Sequence, residues 1–146
     1  LTRVLFDRRL RIPPSARLFS TIGAGPVIIV TTPETIADSP ERARALEEAG
    51  AELEPITTGD LPEAFARLAA RQIVSLVLEG GVALQAAAWK AGLVDAVHLY
   101  IAPVTLGAGG VRWLDLDTVS MASLADRRVT QIGPDVFMEG HVHRID

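Results

Sequence analysis

The chain has 146 residues, enough for one domain with a substantial core, and its 49% hydrophobic and 22% charged content is globular rather than disordered. A net charge of −4 argues against nucleic acid as the main partner. The absence of cysteine excludes disulfides, thiolate metal sites and a cysteine nucleophile and fits a cytoplasmic protein, and no apolar run reaches membrane-spanning length, so no membrane partner is expected.

In chain order, residues 3–7 (RVLFD) predict a strand ending at Asp7, followed by a turn-rich connection with Pro13-Pro14. Arg3, Arg8, Arg9, Arg11 and Arg17 make a local basic excess in an acidic chain. Surface arginines are ordinary in a solvated loop. The functional reading is an anionic ligand, and Arg8, directly after the strand, has the best position for a phosphate. Residues 26–32 (PVIIVTT) read as a strand buried in a parallel sheet. Ser39 as N-cap, Pro40 at the first helical position and Glu41 in the first turn predict a helix through Ala43, Leu46 and Ala49 to Gly50. A short strand over 52–56 follows, and then a helix capped by Asp60 with Phe65, Leu68 and Ala69 on its apolar face.

The rest of the chain is organised around residues 75–103, SLVLEGGVALQAAAWKAGLVDAVHLYIAP. Leu76-Val77-Leu78 predicts a buried strand, broken at Glu79-Gly80-Gly81. Val82, Leu84, Ala87, Ala88 and Ala91 then take helical spacing up to Gly92, and residues 97–101 predict a second strand. Strand, glycine turn, helix and strand make a βαβ unit with parallel strands. The two glycines allow close backbone approach, and the helix start offers unpaired N–H groups to a phosphate. Glu79 stands at the strand's carboxyl edge, where open α/β sheets bind ligands. A plain tight turn with a solvated Glu79 explains the same residues about equally well.

Beyond Pro103, Gly107, Gly109 and Gly110 predict a flexible loop, tucked back by Trp113 and Leu114. Residues 123–126 predict a short turn, and 128–132 and 136–143 a hairpin closed by Gly133-Pro134-Asp135. The expected architecture is α/β: one domain over 1–146, a mostly parallel sheet with helices on both faces and an antiparallel C-terminal edge. His98, His141 and His143 suit a zinc site poorly because no carboxylate falls at an expected spacing, so no metal is assigned. No GxSxG elbow occurs, and Trp89 and Tyr100 are expected in the core.

Together, Glu79-Gly80-Gly81, Leu84, Gly92-Leu93-Val94-Asp95, Tyr100-Ile101-Ala102-Pro103 and Gly107 resemble the C-terminal reductase domain of the bifunctional riboflavin-biosynthesis deaminase/reductase. The flanking RVLFD, RIPP and Gly133-Pro134-Asp135-Val136 agree, so the resemblance covers nearly the whole chain. It implies a dihydrofolate-reductase-like fold and NADPH-dependent reduction of the ribosyl group of 5-amino-6-(5-phosphoribosylamino)uracil to the ribityl form. Glu79 then contacts this small-molecule substrate, and no catalytic residue is assigned. Gly80, Gly81, Val82, Ala83, Leu84, Gln85, Ala86 and Ala87 hold the cofactor phosphates, and Arg8 lies at its adenosine end, favouring NADPH over NADH. The resemblance also implies a homodimer. Family members carry a strand, a helix and a further strand ahead of the RVLFD-like strand, which this sequence lacks. The chain is therefore expected to be a piece of a longer protein or to be completed by another chain. The alternatives are a non-catalytic nucleotide-binding or dimerising remnant, a related enzyme acting on a pteridine, and a flavodoxin-like nucleotide binder.

Overall fold

The computed structural model describes residues 1–111 and 123–143. Trp113 and Leu114 therefore lie outside the described residues. The chain divides into two compact units, Leu1–Leu76 and Val77–Asp146.

The first unit is built on three parallel strands, β1 (Arg3–Phe6), β2 (Val27–Thr31) and β3 (Ala51–Pro55), with β2 in the middle. Arg3 pairs with Val27 and Phe6 with Val30, and β3 continues the register from Ala51 opposite Val27. Every residue of β2 is buried, as a central strand covered on both faces requires. Its side chains alternate between two cores. Val27 and Ile29 pack with Leu10, Phe19, Ala43 and Leu46, side chains supplied by the β1–β2 connection and by α3 (Pro40–Glu48). Val30 packs with Ile56 and with Ala64 of α4 (Leu61–Ala70), beside Val4 and Phe6. Each fully buried Leu or Ile contributes about 1.5–3 kcal/mol of transfer free energy, so this alternation fixes the strand register. Arg71, just past α4, ties that helix back to β3 through Glu52 and through Glu54 at 3.2 Å.

Two short helices complete the unit, α1 (Arg17–Ser20) and α2 (Pro33–Asp38). The hydroxyl of Thr32 caps α2, and Pro33 opens it. Ser39, expected to cap α3, makes no side-chain cap bond; its backbone carbonyl accepts from Ala43 N–H at 3.0 Å. The basic excess near the N-terminus splits by role. Arg3 donates to Leu18 O (3.1 Å), Thr21 Oγ1 (2.6 Å), Thr21 O (3.0 Å) and Gly25 O (2.7 Å), closing the carbonyl ends of α1 and of the 3-10 turn at Ile22–Ala24. Arg3 is thus committed to the fold, whereas Arg8 is not.

In the second unit, residues 77–81 run without strand pairing into α5 (Val82–Lys90). Gly92 closes the helix at φ +67°, with Gly92 N–H bonded to Trp89 O at 3.0 Å and Leu93 N–H to Ala88 O at 3.1 Å. That double bond pattern is a Schellman cap, which only a left-handed residue can make. Strands β4 (Ala96–Ile101), β5 (Ala125–Ile132) and β6 (Asp135–His141) form an antiparallel sheet in the order β4-β6-β5. Ile132 pairs with Asp135, leaving Gly133-Pro134 as a two-residue loop with Gly133 at φ +59°. Glycine in the first of the two loop positions is the type II′ hairpin pattern.

Four further expectations change. Leu76-Val77-Leu78 forms no strand, and Val74 and Val77 are 94% and 83% exposed. An apolar run becomes a strand only when a neighbour takes its backbone bonds, and no described strand does so here. The parallel βαβ unit is therefore not built, and α5 leads instead into a strand that pairs antiparallel with β6. Of the turn expected at 123–126, residues 125 and 126 instead begin β5. Between Ala125 and Arg128 that strand gains one residue over β6, with Asp126 at φ +49°, which makes a bulge. Tyr100 is 71% exposed rather than in the core, its ring 4.8 Å from that of Phe137. No helix among the described residues is long and apolar enough to cross a membrane.

Candidate functional site

The three parallel strands of the first unit end on one edge, and the loops that follow them carry its polar chemistry. After β1, the buried carboxylate of Asp7 accepts from Ile12 N–H at 2.8 Å and Arg9 N–H at 3.3 Å, folding residues 7–12 into a tight turn. Arg8 sits at the outside of that turn, exposed. Its carbonyl accepts from the Thr35 hydroxyl at 2.7 Å. Its guanidinium lies over Gly59, in the loop after β3: a Cβ there would stand 2.8 Å from Nη2 and 3.2 Å from Cζ. No carboxylate pairs with Arg8 among the described residues.

The loop after β3 is held by Glu63. Its carboxylate accepts from Thr57 N–H (2.9 Å), Thr58 N–H (2.6 Å) and the Thr58 hydroxyl (2.7 Å). Glu63 N–H in turn donates to Asp60 Oδ1 at 3.0 Å. The Thr57 and Thr58 donors, with Arg67 at 3.9 Å, hold the Glu63 carboxyl below its ordinary value of 4.5. A depressed carboxylate contributes its stabilisation fully above the ordinary value and loses it as pH falls through the folded one. Amide exchange at Thr57 and Thr58 is therefore expected to speed up, relative to the intrinsic rate, as pH falls below the ordinary carboxylate value of 4.5 and through the depressed Glu63 value. Protection that stays constant as the Glu63 carboxylate becomes protonated would contradict the role given to it.

Glu79, Gly80, Gly81 and the first turn of α5 belong to the second unit, and Arg8 to the first. The two glycines differ. A Cβ on Gly80 would lie 2.5 Å from Leu84 Cδ2 and 3.2 Å from its Cβ, so Gly80 is needed for the packing of Leu84. A Cβ on Gly81 would meet nothing within 4 Å. Gly81 is the N-cap of α5, with an extended backbone and no side-chain cap, and no acidic residue lies in the first turn. Its carbonyl accepts from Leu84 N–H at 3.0 Å and Gln85 N–H at 3.2 Å, while no acceptor for Val82 and Ala83 N–H occurs among the described residues. By contrast, α4 carries Asp60 and Glu63 at its head. The α5 head is thus an open donor site at the positive end of a helix. Glu79 is exposed just before it.

The chain matches the family model of the RibD C-terminal domain over residues 1–138. It belongs to that family. The riboflavin biosynthesis protein RibD of Bacillus amyloliquefaciens is 31% identical over 142 residues, which is 92% of this chain and 37% of that protein. RibD of Escherichia coli K12 is 31% identical over 144 residues, 93% of this chain and 36% of that protein. A 2,5-diamino-6-ribosylamino-4(3H)-pyrimidinone 5′-phosphate reductase of Methanothermobacter thermautotrophicus is 29% identical over 147 residues, covering 94% and 64%. The chain thus spans little more than a third of the RibD proteins it matches. Among solved structures, a pyrimidine reductase-like protein from Corynebacterium diphtheriae superposes with a TM-score of 0.71 at 23% identity, covering 97% of this chain and 61% of that one. RibD of Acinetobacter baumannii gives 0.68 at 22%, covering 95% and 37%. These likenesses fix the fold as α/β of the dihydrofolate-reductase-like class.

Sequence reasoning singled out Arg8 and the α5 head. It missed Thr35 and Gly59, which meet Arg8, and Glu63, which holds the loop that carries Gly59. The Asp60-x-x-Glu63 spacing was the available signal, a capping-box pattern with Asp in place of Ser or Thr.

Proposed function

We propose that the chain is the reductase portion of a riboflavin-biosynthesis enzyme, reducing the ribosyl group of 5-amino-6-(5-phosphoribosylamino)uracil to the ribityl form with NADPH. The observation that carries this reading is the open head of α5, where Gly81 leaves room for a ligand and Val82 and Ala83 N–H have no acceptor among the described residues. Donors of that kind suit the pyrophosphate of a dinucleotide. The reductase named among the relatives acts on a phosphorylated ribosylaminopyrimidinone, which supports the substrate class.

In this reading the residues from Gly80 to Ala87 hold the cofactor phosphates, with Gly80 fixing Leu84 and Gly81 giving the approach. Arg8 meets the 2′-phosphate, which NADPH has and NADH lacks. Glu79 anchors polar groups of the substrate. NADPH, when bound, supplies the hydride that reduces the sugar carbon. The protein side chains mainly orient the partners, so no proton donor is assigned. Both units are read as one reductase domain, a reading supported by a family match that runs across both. The exposed Tyr100, Ile101, Val129 and Ile132 of the antiparallel sheet supply a homodimer interface.

The test is NADPH oxidation by this chain with the deaminated ribosylaminouracil phosphate, read beside the mass of the particle in solution. Turnover by a dimer is expected. Oxidation with a folate and not with this substrate would move the activity to pteridine reduction. Absence of turnover with either, from a folded particle, would contradict the reductase proposal for this chain.

A further inference from the structure

Arg8 is an exposed arginine held at both ends without a carboxylate. Its carbonyl is fastened by the Thr35 hydroxyl at 2.7 Å, and its guanidinium lies over Gly59 in the space that a Cβ there would fill. Free arginine carries large rotamer entropy, and a seated guanidinium loses less of it on meeting an anion. The seat exists because Gly59 takes φ +69°, where a side chain would be strained and would also strike Nη2. That conformation belongs to a loop whose preceding residues, Thr57 and Thr58, are clamped by the Glu63 carboxylate through three hydrogen bonds. Asp60, on the other side of Gly59, receives Glu63 N–H at 3.0 Å. Glu63 therefore grips the loop on both sides of the glycine.

We infer that Glu63 and Gly59 are positioning residues that hold the Arg8 guanidinium in place for the 2′-phosphate and so set the preference for NADPH over NADH. The inference rests on the reading that Arg8 meets that phosphate. Glu63 does not touch the ligand, and its effect passes through Arg8. A purely structural Glu63 would weaken both dinucleotides together. A positioning Glu63 weakens only the phosphorylated one.

Equilibrium binding of NADPH and of NADH to the full chain, its Arg8→Ala and Glu63→Gln variants and the double variant separates these cases. For Arg8→Ala, the ratio of the two dissociation constants is expected to fall about 10-fold or more, as loss of a charge-assisted bond to phosphate implies. For Glu63→Gln, it is expected to fall roughly 3- to 10-fold, with NADH affinity changed less than about 2-fold. The double variant should show no smaller ratio than Arg8→Ala, because residues that act in series are not additive. Gly59→Ala puts a Cβ 2.8 Å from Arg8 Nη2 without removing a Glu63 hydrogen bond and should lower the same ratio, so the inference stays testable if Glu63→Gln fails to fold. An unchanged ratio in Glu63→Gln, or in Gly59→Ala where Glu63→Gln does not fold, overturns the inference. So does a Glu63→Gln effect that multiplies with that of Arg8→Ala. If Arg8→Ala alone lowers the ratio, the reading of Arg8 stands while the inference falls. If the parent chain shows no NADPH preference, or Arg8→Ala leaves it intact, the reading itself falls and the inference with it.

Discussion

Gly81→Val is expected to weaken NADPH binding by about 30- to 100-fold, a loss of roughly 2–3 kcal/mol, while the chain stays folded. The fold itself has no objection to the side chain. Gly81 has φ −65° and ψ 168°, a region open to valine, and its Cβ would meet nothing within 4 Å. Exchanging glycine for valine at an N-cap costs on the order of 1 kcal/mol of helix stability, visible as a modest drop in Tm. The ligand effect is larger because the valine methyls occupy the space in front of Val82 and Ala83 N–H, where a phosphate oxygen would lie. Titration of the variant with NADPH beside a thermal melt separates the two costs. Unchanged affinity in a folded variant would remove the phosphates from the α5 head. The neighbouring glycine is not an equivalent probe, since a side chain at Gly80 would displace Leu84.

The second large effect is expected at Arg8. Arg8→Ala should weaken NADPH about 10- to 100-fold and NADH by less than about 2-fold, because a charge-assisted bond from arginine to a phosphate contributes roughly 1.5–3 kcal/mol. Stability should move by no more than about 0.5 kcal/mol, since the side chain is exposed and pairs with no carboxylate among the described residues. Arg3→Ala is the internal contrast. The same residue type a few positions away closes four acceptors at the end of α1 and the turn after it, so its loss is a loss of fold. Equal weakening of NADPH and NADH by Arg8→Ala would rule out the 2′-phosphate role.

The contrast between Arg3 and Arg8 shows where sequence reading stops. Arg3 opens one strand and Arg8 follows it in an arginine-rich stretch, and composition treats them alike. Arg8 could be preferred because the residue after a parallel strand's carboxyl end faces the ligand edge, a consequence of topology that the pattern of strands already implies. Elements whose signals are local were legible for the same kind of reason. The apolar run 27–30 became the body of β2, Asp60 capped α4, Gly92 closed α5 and Gly133-Pro134 turned the final hairpin. Leu76-Val77-Leu78 was misleading because its strand character depends on a partner, and β-propensity describes fit to a sheet rather than a backbone preference. The bulge at Asp126 depends likewise on how β5 meets β6. The clamp around Gly59 was not legible because Glu63 reaches back five and six residues to a loop whose conformation no short pattern specifies. The six-residue α2 has too few turns for periodicity to register, although Thr32-Pro33 does carry a cap-and-proline start.

The most direct measurement is equilibrium binding of NADPH and NADH to the unmodified chain at physiological ionic strength. Saturable binding with a clear preference for NADPH is the result expected if the open head of α5 holds the pyrophosphate and Arg8 the 2′-phosphate. Failure of a folded chain to bind either dinucleotide, or binding of both with equal affinity, would contradict it.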